Sequence, residues 1–240
     1  MTQRKKTNLT SQEPEKKLTR KEIITSIIKK KTKEKFLTEN QKIYNDLLLN
    51  RQIVICSGPA GTGKSYIALK TAVNLLFDSS TSYEKIIILR PAVESSDSTI
   101  GLLPGDVREK MDPYVYASFH LLNKIIGQDV VKKLEELGFI EVMAINFIRG
   151  LNIDNSILVG EEFQNVTPNE MKTILTRIGF NSKFFISGDI EQTDKFKQIE
   201  KSGLYDAMQR LSDIEDIGLF KFGLGDIVRN PIITKILERY

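Results

Sequence analysis

The stretch Gly58–Ser65, "GPAGTGKS", lies between the apolar run "IVIC" at 53–56 and the helix-like "YIALKTAVNLLF" at 66–77. It satisfies the pattern G-x-x-x-x-G-K-[ST] through Gly58, Gly63, Lys64 and Ser65. Glycines let the backbone curl so that its N–H groups face inward, and the helix that follows turns its positive end toward the same anion. The spacing predicts a phosphate cradle over Gly58, Pro59, Ala60, Gly61, Thr62, Gly63, Lys64 and Ser65, with Tyr66 as its next neighbour. Lys64 would reach the β- and γ-phosphates of a nucleotide, and the Ser65 hydroxyl would hold Mg²⁺. A nucleotide with Mg²⁺ is therefore the expected ligand.

Working outward, the apolar runs "QIVICS", "KIIILR", "SILVG", "KFFISG" and "GLFKF" read as buried strands. Helical patterns separate most of them, over 64–77, 107–137 with a break at Gly127, 168–179 and 203–212. Strands alternating with helices predict an α/β fold with a mostly parallel sheet covered on both faces. Such sheets bind ligands at the carboxyl ends of their strands, and each chemical motif here follows a predicted strand.

Composition narrows the setting. A 240-residue chain that is 40% hydrophobic can bury a core without disulfides, and Cys56 is the only cysteine. No apolar run reaches the ~18 residues of a membrane span, and the N-terminus lacks the apolar core of a secretion signal, so a cytoplasmic protein with no membrane contact is expected. Residues 1–36 hold 12 Lys/Arg against 4 Asp/Glu, a balance of +8, which leaves 23 against 27 in the remainder. The expected organisation is a basic, partly disordered arm over 1–37 and a globular P-loop domain over 38–240. Within the arm, Ile23, Ile24, Ile27 and Ile28 share one helical face that could pack on the body or on a neighbouring subunit. The arm itself is either a solvated tail or a contact for nucleic-acid phosphates.

A phosphate cradle also needs acids near the metal. In "SILVGEEFQN", Glu161 and Glu162 end a predicted strand: one carboxylate would hold a water of the magnesium shell and the other would orient the attacking water. In "FFISGDIEQTD", Asp189 follows another strand with Gln192 three residues on, either as a γ-phosphate sensor or as an ordinary helix-capping turn. "GDIVRNP" places Arg229 as a candidate phosphate ligand or a surface ion-pair partner.

These segments together resemble the PhoH family of phosphate-starvation-type ATPases, a single RecA-like P-loop NTPase domain with superfamily 1 helicase motifs. The resemblance runs from about residue 38 to the C-terminus through "GPAGTGKSYIAL", "LRPAVE", "GLLPGDVREKMDPY", "FIRG", "EEFQN", "TPNEMKTILTRIGFNSK", "SGDIEQTD", "SGL" and "DIVRNP". It implies that Gln41 reads the adenine edge, Glu162 is the catalytic glutamate, Asp189 and Gln192 form the GDxxQ motif, and Arg229 is the late arginine. Arg90 falls in a segment that such helicases place near nucleic acid. The chain departs from the family where an Asp-Glu pair is usual: it carries Glu161-Glu162, preceded by Gly160 in place of a bulky apolar residue. The extra methylene of Glu161 would press on the metal water unless the strand end shifts, which leaves a slow ATPase open.

One RecA-like lobe leaves room for a neighbouring subunit to complete the site. A homo-oligomer is expected, a hexameric ring by resemblance, with Arg229 as the first candidate for the γ-phosphate arginine and Arg177 as the second. Tyr114, Tyr116 and Phe119 either stack on a single strand or pack a helix against the sheet, and His120 reads as structural. The favoured function is an ATPase acting on single-stranded nucleic acid, RNA ahead of DNA. An ATP-dependent switch on a protein partner and a small-metabolite kinase are the alternatives.

Overall fold

The computed structural model describes residues 20–27, 35–91, 107–193, 196 and 198–239. Six strands form one sheet in the order β3-β2-β4-β5-β1-β6. They are β1 (Ile53–Ser57), β2 (Lys85–Arg90), β3 (Ile140–Ala144), β4 (Ser156–Gly160), β5 (Lys183–Gly188) and β6 (Ile217–Lys221). Every pairing is parallel, and β5 lies between β1 and β4, with Val54 opposite Phe185 and Val159 also opposite Phe185.

Alternation along the strands divides the core. Val54, Cys56, Ile86, Ile88, Ile157, Val159 and Phe185 face one side; Ile53, Ile55, Ile87, Leu89, Leu158, Phe184 and Ile186 face the other. Because both faces are covered, strands read as continuous apolar runs rather than alternating ones. The first side carries α2 (Glu39–Asn50), α3 (Lys64–Phe77), α4 (Val107–Ile126) and α5 (Gln128–Glu136); the second carries α6 (Pro168–Leu175) and α7 (Gly203–Arg210). A last helix, α8 (Ile232–Leu237), closes the chain. The helix break expected at Gly127 is present, since that residue adopts φ 89° between α4 and α5.

The expected amphipathic segment forms α1 (Arg20–Ile27), and it packs on the body. Ile24 is buried in the first core layer, with Ile23 and Ile27 against it. Ile28 and residues 1–19 lie outside the described residues. No helix among the described residues is long and apolar enough to cross a membrane.

The edge strand β3 has no counterpart among the runs predicted from sequence. Its burial is only partial, with Glu141 among the partly exposed positions, so its pattern is too polar to stand out. Local chemistry fixes the elements around the site. Thr38 caps α2 by accepting from Gln41 N at 3.1 Å. Thr167 and Glu170 form a reciprocal capping box that starts α6, with Pro168 in the first turn.

Candidate nucleotide site

The cradle leaves β1 and enters α3 through Gly63, which adopts φ 93° at the helix N-cap. A side chain there would be strained, and its Cβ would also meet Gln41 Nε2 at 3.0 Å. Gln41 in turn braces the loop: its Nε2 donates to Thr62 O at 2.9 Å, while its Oε1 accepts from Leu37 N at 2.8 Å. The amide expected to read adenine thus already joins the 35–38 segment to the cradle, with one N–H and one lone pair left over. Thr62 Oγ1 donates to Pro59 O at 3.0 Å within the loop.

Lys64 folds back on its own loop, donating to the carbonyls of Gly58 and, at 2.9 Å, Pro59. Burial lowers its pKa; nearby Cys56, Asp189 and Glu162 oppose that, and Arg229 adds to it. Phosphate oxygens would restore the lost solvation of this ammonium. Beneath the loop, burial pushes the Cys56 thiol up to about 12, which makes it a packing residue and no nucleophile.

Lys64, Ser65, Tyr66, Arg90, Glu161, Glu162 and Arg229 line one cavity of about 650 Å³, together with Phe36 and Gln41. That volume lies within the range of small-molecule sites. Glu161 and Glu162 diverge at the end of β4. Glu161 is 1% exposed and its Oε2 accepts from Arg90 Nη2 at 3.0 Å and from Ser118 Oγ. Its Oε1 is buried with no hydrogen-bond partner. Glu162 takes the left-handed conformation at φ 59°, and its exposed carboxylate accepts from Gln164 Nε2 at 2.8 Å. Gly160 gives this turn its room: a Cβ there would lie 2.6 Å from the Phe163 ring, which fills the space of the missing side chain.

Asp189 is placed beside this acidic pair by β5. Gln164 Oε1 accepts from Asp189 N at 3.1 Å, so one buried amide holds both Glu162 and Asp189. Burial raises the Asp189 pKa, while the backbone N–H of Glu191 and the charge of Lys64 pull it down. Gln192 donates its backbone N–H to Asp189 O at 3.0 Å and leaves its side chain exposed. Asp189 and Gln192 sit off the cavity wall, and Asp189 is coupled to Lys64 and Glu162 through charge.

Arg229 reaches the same cavity from its own chain. Val228 N donates to Gly61 O at 3.1 Å, and Asp226 anchors the segment by accepting from Asn40 Nδ2 and Gly223 N, each at 2.9 Å. Arg177 lies at the far end of α6, where its carbonyl accepts from Ile153 N near the start of β4, so it cannot approach its own cradle. Arg90 turns inward to Glu161, so its guanidinium is already engaged where the resemblance placed a nucleic-acid path. The Tyr114 side chain lies outside the described residues. Tyr116 is 70% exposed and stacks on His120 at 6.1 Å, so His120 lies at the surface and not in the core. Phe119 packs against the core.

Mg²⁺ keeps several waters and binds through one or two protein oxygens together with substrate phosphates. The residues fit it: the Ser65 hydroxyl lines the cavity, and Glu161 Oε1 is an acceptor still lacking a donor. Ser118 and Gln164 were missed as site residues from sequence. Gln164 sits inside a quoted motif, but only folding shows what its amide joins.

Fold and site define the class, a P-loop NTPase of RecA-like architecture. The model for the PhoH family, described as "PhoH-like protein", matches residues 34–240, and the chain belongs to that family. It is 40% identical over 203 residues to the PhoH-like protein of Bacillus subtilis, covering 85% of this chain and 62% of that protein. It is 36% identical to the PhoH-like protein of Synechocystis, covering 85% of this chain and 61% of the relative. Protein PhoH of Escherichia coli K12 is 32% identical over 204 residues, covering 84% of this chain and 56% of the relative. The chain thus spans about three fifths of the length of these relatives.

Proposed function

We propose that this chain binds ATP with Mg²⁺ and hydrolyses it, as a cytoplasmic homo-oligomer that remodels or moves along single-stranded nucleic acid, RNA in preference to DNA. The observation that carries the ATPase reading is the convergence of Lys64, Ser65, Glu161, Glu162 and Arg229 on one cavity. Lys64 would exchange the Gly58 and Pro59 carbonyls for β- and γ-phosphate oxygens. Glu162, exposed and steadied by Gln164, would orient the attacking water. Arg229 would lie at the γ-phosphate, where an arginine speeds phosphoryl transfer by about 10³–10⁵. Bound Mg²⁺ would neutralise charge developing on the phosphates.

The polymer reading rests on family resemblance, on the basic arm and on the exposed Tyr116–His120 stack, whose neighbours Ala117 and Leu121 line the cavity. The ring rests on resemblance and on a single lobe that a neighbour would complete. The test is ATP hydrolysis with and without single-stranded RNA and DNA, using Lys64→Ala as the control. Stimulation by one polymer that vanishes in the variant supports the motor and names its track. Lys64-dependent turnover indifferent to both polymers favours the protein-directed switch, to which the longer Glu161 also leans.

A further inference from the structure

Glu161 is one methylene longer than the aspartate usual at its position, and the structure shows where that length goes. We infer that Arg90 and Ser118 are positioning residues that draw the Glu161 carboxylate back from the cradle and leave its free oxygen for the metal-bound water. The inference rests on the Mg²⁺·nucleotide reading of the cavity.

The parts come from three elements. Glu161 follows β4, Arg90 ends the adjacent β2, and the ladder sets Leu89 opposite Gly160. Arg90 donates to the same Glu161 oxygen from Nη2 at 3.0 Å and from Nε at 3.3 Å. Ser118, fully buried on α4, donates its hydroxyl to that oxygen as well. One carboxylate oxygen is therefore saturated by three donors while the other, equally buried, has none. A bare buried acceptor is unfavourable unless something supplies a donor. The Arg90–Glu161 pair is deeply placed, with side chains 14% and 2% exposed, so its geometry is fixed and not averaged by solvent. An aspartate at 161 would fall short of Arg90 and Ser118 by about one C–C bond, ~1.5 Å.

The experiment titrates Mn²⁺, read by its paramagnetic resonance signal, into the ADP-loaded 240-residue chain. ADP affinity in EDTA is measured in parallel for the parent, Ser118→Ala, Glu161→Asp, Arg90→Lys and Lys64→Ala. Outer-shell partners of a metal typically change affinity by 10–100-fold. Ser118→Ala and Glu161→Asp are expected to weaken Mn²⁺ binding about 10-fold, with metal-free ADP affinity held within about twofold and Arg90→Lys falling on the same side. Mn²⁺ binding by Glu161→Asp as tight as the parent's would overturn the positioning role while leaving the nucleotide site intact. Equal loss of metal-free ADP affinity in all three variants would also overturn it, by showing a merely structural effect. Failure of Lys64→Ala to change ADP binding would overturn the nucleotide reading and the positioning role with it.

Discussion

Arg229 packs on Gly61 of its own chain so closely that a Cβ built on the glycine would meet the arginine Cδ at 3.0 Å. The arginine is therefore expected to act on its own cradle. Mixing two inactive variants tests this. Arg229→Ala should lose about 10³ in turnover, and a mixture of Arg229→Ala with Lys64→Ala should stay inactive. Recovery of ATP hydrolysis in the mixture would mean that the arginine serves a neighbouring subunit instead.

Gln164 is the joint between the acid after β4 and the acid after β5. Gln164→Leu keeps the volume and removes both hydrogen bonds, leaving Asp189 N–H buried without its acceptor. The expected cost is about 1–3 kcal/mol of stability, with ATP turnover lowered more than ADP affinity. Chemical denaturation and steady-state kinetics on the same preparation separate the two effects. Turnover equal to the parent's would show that Glu162 and Asp189 hold their places unaided.

Gly160 and Phe163 share one volume. Gly160→Val would drive methyl groups into the Phe163 ring, and overpacking of this kind costs about 1–3 kcal/mol. The double variant Gly160→Val/Phe163→Ala should recover part of that loss. A melting temperature for Gly160→Val equal to the parent's would contradict the tight contact.

Lys183 donates to Leu49 O at 2.9 Å, to Leu48 O at 3.1 Å and to Arg51 O, closing the C-terminal end of α2. Burial pushes its pKa down to about 8 from an ordinary 10.5. Between those values the unfolded chain binds the proton that the folded chain has lost, so this residue makes stability rise with pH from about 8 to 10.5. Solvent reaches part of the group, so the gain is discounted to about 1 kcal/mol, or ~2–4 °C in melting temperature. Lys183→Met should flatten that rise, as read by the difference between variant and parent melts at about pH 8 and about pH 10.5. An unchanged difference would place the shift elsewhere.

Much of the fold was legible because β1, β2, β4 and β5 are apolar runs buried along most of their length, and the edge strand β6 still reads as an apolar run. "KIIILR", "SILVG" and "KFFISG" match β2, β4 and β5 end to end. The edge strand β3 was hidden by its half-exposed pattern, and helix α6 ends at Leu175, sooner than the periodicity to 179 suggested. The site divided along the same line. Gly58–Ser65 carries its chemistry in contiguous residues, so spacing alone reveals it. The ties of Arg90 to Glu161 and of Asp226 to Asn40 join residues 71 and 186 positions apart, and only the sheet order brings them together. His120 illustrates the converse: a lone histidine on a helix gives no indication of which way it faces until the helix is packed.

The position of β5 has a mechanical consequence. β1, which feeds the cradle, and β4, which feeds the two glutamates, do not pair with each other; each is laced to β5. Gly58 N also donates to Gly188 O at 3.2 Å, extending the lacing past the strand ends. β5 is thus the shared beam of the site, and the exposed turn around Gln192 is its free end. A displacement of β5 would therefore move both banks of the cavity at once.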